Sequence, residues 1–430
     1  MKYRIIIFIL VGVLVVVSVL AFVFGRKPVI GQSAKLEFWG LDSANVWSEI
    51  ILAYQTKNPS VVVNYVQKNP TTYESDLVNA LASGAGPDVA YIRNTWLAKH
   101  LNKFSSAPAD LISATDFKNN FMEVANRDLI RSGKIYALPF YVDTLALYYN
   151  KTLFNSAGLV NPPKTWEDFN SAVKELIQKS DDGTIGRAGA SLGTAGNVKY
   201  APDILSLLML QTGAVMISAD GKTAVFDQTI SSDNKTYSPG QSALDFYTSF
   251  ANSTKPVYTW NIRMPNSLDA FLQGQSAMYI GYAADVPAIQ KKGLNYGVAP
   301  IPQVKDSKKD ASYIDINFAS YSAGAVTQKS VSKNAAWDFL VFTTGSNAAG
   351  TYLQKSLLPP ARRDLIQFIQ NHEALSVFGK QALSALSWPQ PNENEVSKIF
   401  ARMIDSVALG QSNSKEALKE AVIEVTNLLK

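Results

Sequence analysis

Cysteine is absent from all 430 residues. That excludes disulfides, zinc–thiolate sites, thiol nucleophiles and a lipid carried on cysteine. Histidine is nearly absent: His100 and His372 are the only two. A histidine-ligated metal or a histidine general base therefore has almost no material to draw on, and neither a metal nor a cofactor is expected. The glycine loop Ser83-Gly84-Ala85-Gly86-Pro87 lacks Gly-x-Gly-x-x-Gly and a following lysine, so it reads as a turn and not as a phosphate cradle. His-Glu-x-x-His does not occur. The net charge of +5 comes from scattered basic residues that form no stripe, which argues against nucleic acid as a partner.

One long apolar run is present. Ile5 to Phe24 is a stretch of twenty uncharged residues, with Lys2 and Arg4 before it and Arg26 and Lys27 after it. At about 1.5 Å per residue it matches the roughly 30 Å hydrocarbon core of a bilayer. A cleavable signal has a shorter apolar region and a small-x-small exit. The exits available here, Val23-Phe24-Gly25 and Gly31-Gln32-Ser33, are poor ones. The run reads as an uncleaved N-terminal membrane helix, with a cleaved signal as the alternative. Residues 1–34 then form the anchor or signal segment and its spacer, and residues 35–430 work outside the cytoplasm at the cell membrane. Without disulfides those residues must be held by hydrophobic cores, and the 47% apolar content supplies them.

Beyond the spacer, strand-like and helix-like segments alternate. Leu36-Glu37-Phe38-Trp39 reads as a strand, and Val46, Trp47, Ile50, Ile51 and Tyr54 then fall on one helical stripe. Asn58-Pro59 ends that helix, and the β-branched Val61 to Val66 reads as a strand, completing a β-α-β unit. A second helix carries Tyr73, Leu77, Val78 and Leu81, and Asp88 to Ile92 reads as the third strand. Thr165 and Asp168 have the spacing of a helix cap. Ile204 to Leu210 is apolar but too short to span a membrane, so it reads as a buried helix. The last third is mainly helical, and Ser231–Gln241 and Lys305–Ala311 read as surface loops.

Several segments, in this order, resemble the extracellular solute-binding proteins of ABC importers, in the sugar-binding group that contains the maltose-binding protein. They are Ser83 to Val89; Gly133-Lys134-Ile135-Tyr136-Ala137-Leu138-Pro139-Phe140; Tyr148-Tyr149-Asn150-Lys151; Pro163 to Phe169; Phe271 to Met278; Ala335 to Leu340; and Leu357 to Arg362. The resemblance covers about residues 35–430. It implies an α/β, periplasmic-binding-protein-like fold, with two discontinuous lobes around a ligand cleft that closes by hinge motion. Crossings are expected near Tyr141–Leu145, Leu294–Val298 and Phe342–Gly345. The N-lobe would then hold about 35–142 and 297–343, and the C-lobe about 146–293 and 346–430.

A sugar presents hydroxyls at its edges and apolar C–H faces, so its site needs aromatic rings beside amide or carboxylate groups. Seven tryptophans and nineteen tyrosines supply rings, although Trp47, Trp166 and Trp337 sit on apolar helix faces and read as core. The expected ligand-binding residues lie where strands or helices end: Trp39, Asp42, Asn94, Trp96, Tyr141, Asp143, Asn197, Tyr282 and Trp388. At Gly281-Tyr282 the resemblance leads one to expect a following tryptophan that this chain lacks, and Tyr282 is the nearest substitute.

The function so implied is capture of a small-molecule solute, a sugar or oligosaccharide, for delivery to an ABC permease by a monomeric protein that is not an enzyme. The alternatives are an exported carbohydrate-active hydrolase using carboxylates such as Asp42, Asp143 or Asp285, or a binding protein for a polyol phosphate, a peptide or a polyamine.

Overall fold

In the computed structural model, residues 33–232, 235–305 and 315–430 are described. The expected membrane helix Ile5–Phe24 and most of the expected loop Lys305–Ala311 lie outside them. Among the described residues no helix is long and apolar enough to cross a membrane.

Two five-stranded sheets organise the chain. The first runs in the order Val61–Gln67, Ala34–Gly40, Val89–Arg93, Ser322–Val326, Leu138–Pro139. Its opening β-α-β unit is as the sequence suggests: Ala34–Gly40 and Val61–Gln67 pair in parallel, with Ala34 opposite Val61. The helix between them, Ala44–Lys57, buries Val46, Trp47, Ile50, Ile51 and Tyr54, the stripe read from its spacing. Ser322–Val326 returns antiparallel to Val89–Arg93, with Ser322 opposite Arg93.

The second sheet runs Tyr296–Ala299, Ala146–Asn150, Ser276–Gly281, Ile185–Ala190, Gln178–Lys179. Thr165 and Asp168 form a reciprocal capping box at the start of Trp166–Leu176, whose buried face covers this sheet. The apolar helix Ala201–Gln211 is buried on nearly every side. Each sheet has its own apolar core: Phe38, Trp47, Phe140 and Trp337 for the first, Trp166, Phe169, Trp260 and Phe400 for the second.

Three short strands join the halves in a small sheet of their own: Ala385–Leu386, Asn317–Ser320 and Asp143–Thr144. Asp143–Thr144 falls within the expected crossing Tyr141–Leu145 and pairs with Asn317–Ser320. The other expected boundaries are corrected by pairing and packing. Tyr296–Ala299 hydrogen-bonds to Ala146–Asn150 and so belongs to the second sheet; the chain returns to the first through Asn317–Ser320. Helix Ser346–Ser356 packs Ala348 and Tyr352 into the first core, beyond the boundary expected at 343–346. Ile230–Ser232 and Lys235–Tyr237 pair as short antiparallel strands and Pro239–Ser249 forms a helix, in place of the expected loop. Pro239 at the start of that helix is well placed, because its missing N–H leaves nothing unpaired there.

Candidate functional site

A cavity of about 560 Å³ opens between the two halves. The first half contributes Asp42, Tyr91, Arg93, Tyr141 and Ser322 to its wall, and the second contributes Tyr200, Asp203, Tyr282 and Glu393. Asp143 and Ser320 of the joining sheet line it as well.

Local structure explains how these side chains arrive. Along the strand Val89–Arg93, Tyr91 and Arg93 are two residues apart and share a face, which places both on the cavity. Tyr200 precedes the apolar helix in a left-handed backbone conformation, φ 66°. That conformation is costly for a residue with a side chain, and it persists because the surroundings fix it. It sets the Tyr200 ring edge-on to Tyr282, with centroids 4.8 Å apart. Leu357, another non-glycine residue with positive φ, precedes the cavity residue Leu358. Local strain thus adjoins the cavity twice.

The carboxylates differ in how fully the protein satisfies them. Asp143 accepts backbone N–H bonds from Thr144 at 2.8 Å, Ala283 at 3.0 Å and Ala284 at 3.2 Å. Burial nevertheless pushes its carboxyl up to about 7, against the opposing pull of those bonds. Asp42 accepts from Trp47 Nε1 and Tyr352 Oη, each at 3.1 Å, and burial outweighs these bonds to raise its pKa. Among the described residues Asp203 has a single side-chain partner, Tyr282 Oη, which donates to Oδ2 at 2.8 Å. Burial pushes Asp203 up to about 6. Of the three it has most acceptor capacity left for a bound molecule.

Among the described residues Arg93 is the one basic residue on the wall, and it is already engaged. Its Nη2 donates to Glu393 Oε1 at 2.9 Å and to Ser320 Oγ at 2.7 Å, while Thr95 Oγ1 donates to Glu393 Oε2 at 2.8 Å. Burial alone would raise Glu393, but the Arg93 charge and these bonds hold it below the usual range. The same pairing keeps the guanidinium firmly protonated. Among the described residues no group of three or more His, Cys, Asp or Glu side chains is arranged to hold a metal ion.

Of the nine residues expected to contact ligand, Asp42, Tyr141, Asp143 and Tyr282 line the cavity and five do not. Trp39 lies under Lys68, whose Nζ is 3.7 Å from the ring centroid, and its indole N–H is bound by Glu37. Asn94, one residue past Arg93, faces the other way and donates to Asp128 at 3.1 Å. Trp96 packs on Tyr73. Asn197 ties the chain together, donating to the carbonyls of Asn261 and Met264 at 3.0 and 2.8 Å. Trp388, 3% exposed, stacks on Phe400 and donates to Ser206, so it belongs to the second core.

Sequence reasoning misses Tyr91, Asp203 and Glu393, and passes over Arg93 for its neighbour. Strand alternation is the signal available for Tyr91 and Arg93. For Asp203 it is a lone carboxylate in the first turn of an otherwise apolar helix.

Comparison with known proteins adds to this geometry. A binding protein of Brucella abortus (strain 2308) is 24% identical over 393 residues, covering 89% of this chain and 90% of that protein. The galactooligosaccharide-binding protein of Bacillus subtilis (strain 168) is 23% identical over 409 residues, covering 91% and 88%. Among solved structures, the sugar-binding protein MalE from the phytopathogen Xanthomonas citri superposes with a TM-score of 0.77 at 18% identity, covering 92% of this chain and 97% of that one. Likeness at that identity establishes the fold. The family model described as bacterial extracellular solute-binding protein matches residues 41–349, most of the chain, and the chain belongs to that family.

Proposed function

We propose that this chain is the substrate-binding component of an ABC importer, and that it holds a neutral sugar or oligosaccharide in the cavity between its halves. The observation that carries this reading is the makeup of the wall: the rings of Tyr91, Tyr141, Tyr200 and Tyr282 beside Asp42, Asp143 and Asp203, with the Arg93 cation already paired. Tyrosine rings offer apolar faces to sugar C–H groups, and carboxylates accept from hydroxyls more strongly than neutral acceptors do. The same wall disfavours a polyol phosphate, because an anion there meets three carboxylates and an arginine that would have to leave Glu393. The sugar-binding relatives support the class of ligand. Because the lining comes from both halves, capture is expected to close them about the joining sheet.

The protein acts without chemistry in this reading, as a monomer that hands its solute to a membrane permease. The apolar run Ile5–Phe24 serves as the tether that a chain without cysteine cannot obtain from a lipid, raising the local concentration beside the permease. Protease treatment of intact cells tests this: the binding domain is expected to stay with the cells until cut, and a shortened protein free in the medium would contradict the tether.

The ligand class is tested by a thermal-shift screen against neutral sugars, polyol phosphates, amino acids, peptides and polyamines. A true ligand at about 100 times its dissociation constant adds roughly 2.7 kcal/mol of stability. A shift with neutral sugars is expected. A shift confined to charged solutes would overturn the ligand class. Trp39→Phe, outside the cavity, is expected to leave the affinity within about twofold, as measured by calorimetric titration.

A further inference from the structure

The ion pair at the cavity wall joins the two halves. Arg93 ends a strand of the first sheet. Glu393 begins the helix Glu393–Ala408, whose Val396, Ile399, Phe400, Met403 and Ile404 are built into the second core. Both side chains line the cavity, and they are only partly covered, at 32% and 25% exposure. The first half grips Glu393 at both oxygens, through Arg93 on one and Thr95 on the other. The next residue reinforces the contact: Asn394 Nδ2 lies 3.4 Å from Glu74 Oε2 on the first-half helix Tyr73–Ser83. Moving the halves apart about the joining sheet must stretch these bonds, whereas contacts inside either core would not feel the motion.

We propose that Arg93 and Glu393 form a clasp that is made when the halves close and broken when they open, so that the pair sets how long a captured solute is held. This rests on the reading of the cavity as the solute site. The two residues are positioning residues in this role: they act by holding the halves, and a solute beside them is retained while the pair lasts. A charge-assisted pair that forms only in the closed state shifts the equilibrium towards that state and acts mainly on dissociation.

The clasp is tested in the full chain without any ligand. Because cysteine is absent, Ser48→Cys on the first half and Lys419→Cys on the second, both at exposed positions, give two unique sites for spin labels. Pulsed electron–electron distance measurements then report the closed and open populations. Arg93→Gln and Glu393→Gln are each expected to raise the open-to-closed ratio roughly tenfold, and the double variant to do no more than either alone. Raising the salt from about 0.05 to about 1 M is expected to open the parent protein in the same direction and to leave the variants unmoved. The salt arm needs no substitution at Arg93 or Glu393, so it reads the closed state even if a variant of the pair folds poorly. Additive effects of the two substitutions, or distances unchanged by substitution and salt alike, would overturn the clasp. Failure of every sugar in the thermal screen, with the distance shifts intact, would instead overturn the ligand reading and leave the clasp standing.

Discussion

Asp203→Ala is expected to weaken sugar binding by about 2–3 kcal/mol, or roughly 30- to 150-fold, while changing the stability of the ligand-free protein by less than about 1 kcal/mol. The two halves of this expectation have one cause. Asp203 is held by the Tyr282 hydroxyl, and burial pushes its carboxyl up to about 6, so its charged form is costly to the fold. Its position in the first turn of Ala201–Gln211 gives back a little through the helix dipole. Removing it therefore costs the fold little and costs the site its most available acceptor. Calorimetric titration and a melting curve on the same sample separate the two. The pH dependence follows: as pH falls through about 6 Asp203 takes up a proton, the charge-assisted acceptor is lost, and affinity is expected to fall. In Asp203→Ala that part of the pH dependence should be gone.

Asp143→Ala is expected to act on the fold. Three backbone N–H groups lose their acceptor at the strand that joins the halves, and each buried donor left unpaired costs about 1 kcal/mol or more, so about 3 kcal/mol is expected in all. The pH dependence has a definite sign. Burial raises the folded-state value to about 7, above the ordinary carboxylate range of the unfolded chain. A group raised in this way contributes its full stability at pH values below its unfolded value, and that contribution is lost as pH rises through about 7. The parent protein already bears the cost of the buried charge at about pH 8. The substitution should therefore cost most near about pH 4–5 and less at about pH 8, as read from denaturant titrations at both. An equal cost at the two would mean that Asp143 does not titrate in this range.

Much of the architecture was legible because it is periodic. The stripe Val46, Trp47, Ile50, Ile51, Tyr54 could lie only on one buried helix face, and Thr165 with Asp168 marks a helix start by residue type and spacing alone. The sheet that Tyr296–Ala299 joins was not legible, because pairing is decided by which strand edge is open and local spacing carries no record of it. Asp42, Tyr141, Asp143 and Tyr282, read from their positions where elements end, lie on the cavity wall. Trp39 and Trp388 misled for one shared reason: a large ring near a strand end is as useful to the core as to a ligand, and here the core took both. Arg93 was missed by one position because alternation along its strand, and not residue type, decides which side chain faces the cavity. Glu393 reads in sequence as an ordinary acidic first turn of a helix; only tertiary packing brings it within 2.9 Å of Arg93.

In this reading a sugar lies between the halves, against the tyrosines and Asp203. A crystal structure grown with the strongest neutral-sugar hit of the thermal screen tests it most directly. The sugar is expected inside the cavity, with an apolar face on the ring of Tyr141, Tyr200 or Tyr282 and a hydroxyl within hydrogen-bonding distance of Asp203. A sugar bound elsewhere, with the cavity still lined as it is now, would contradict it.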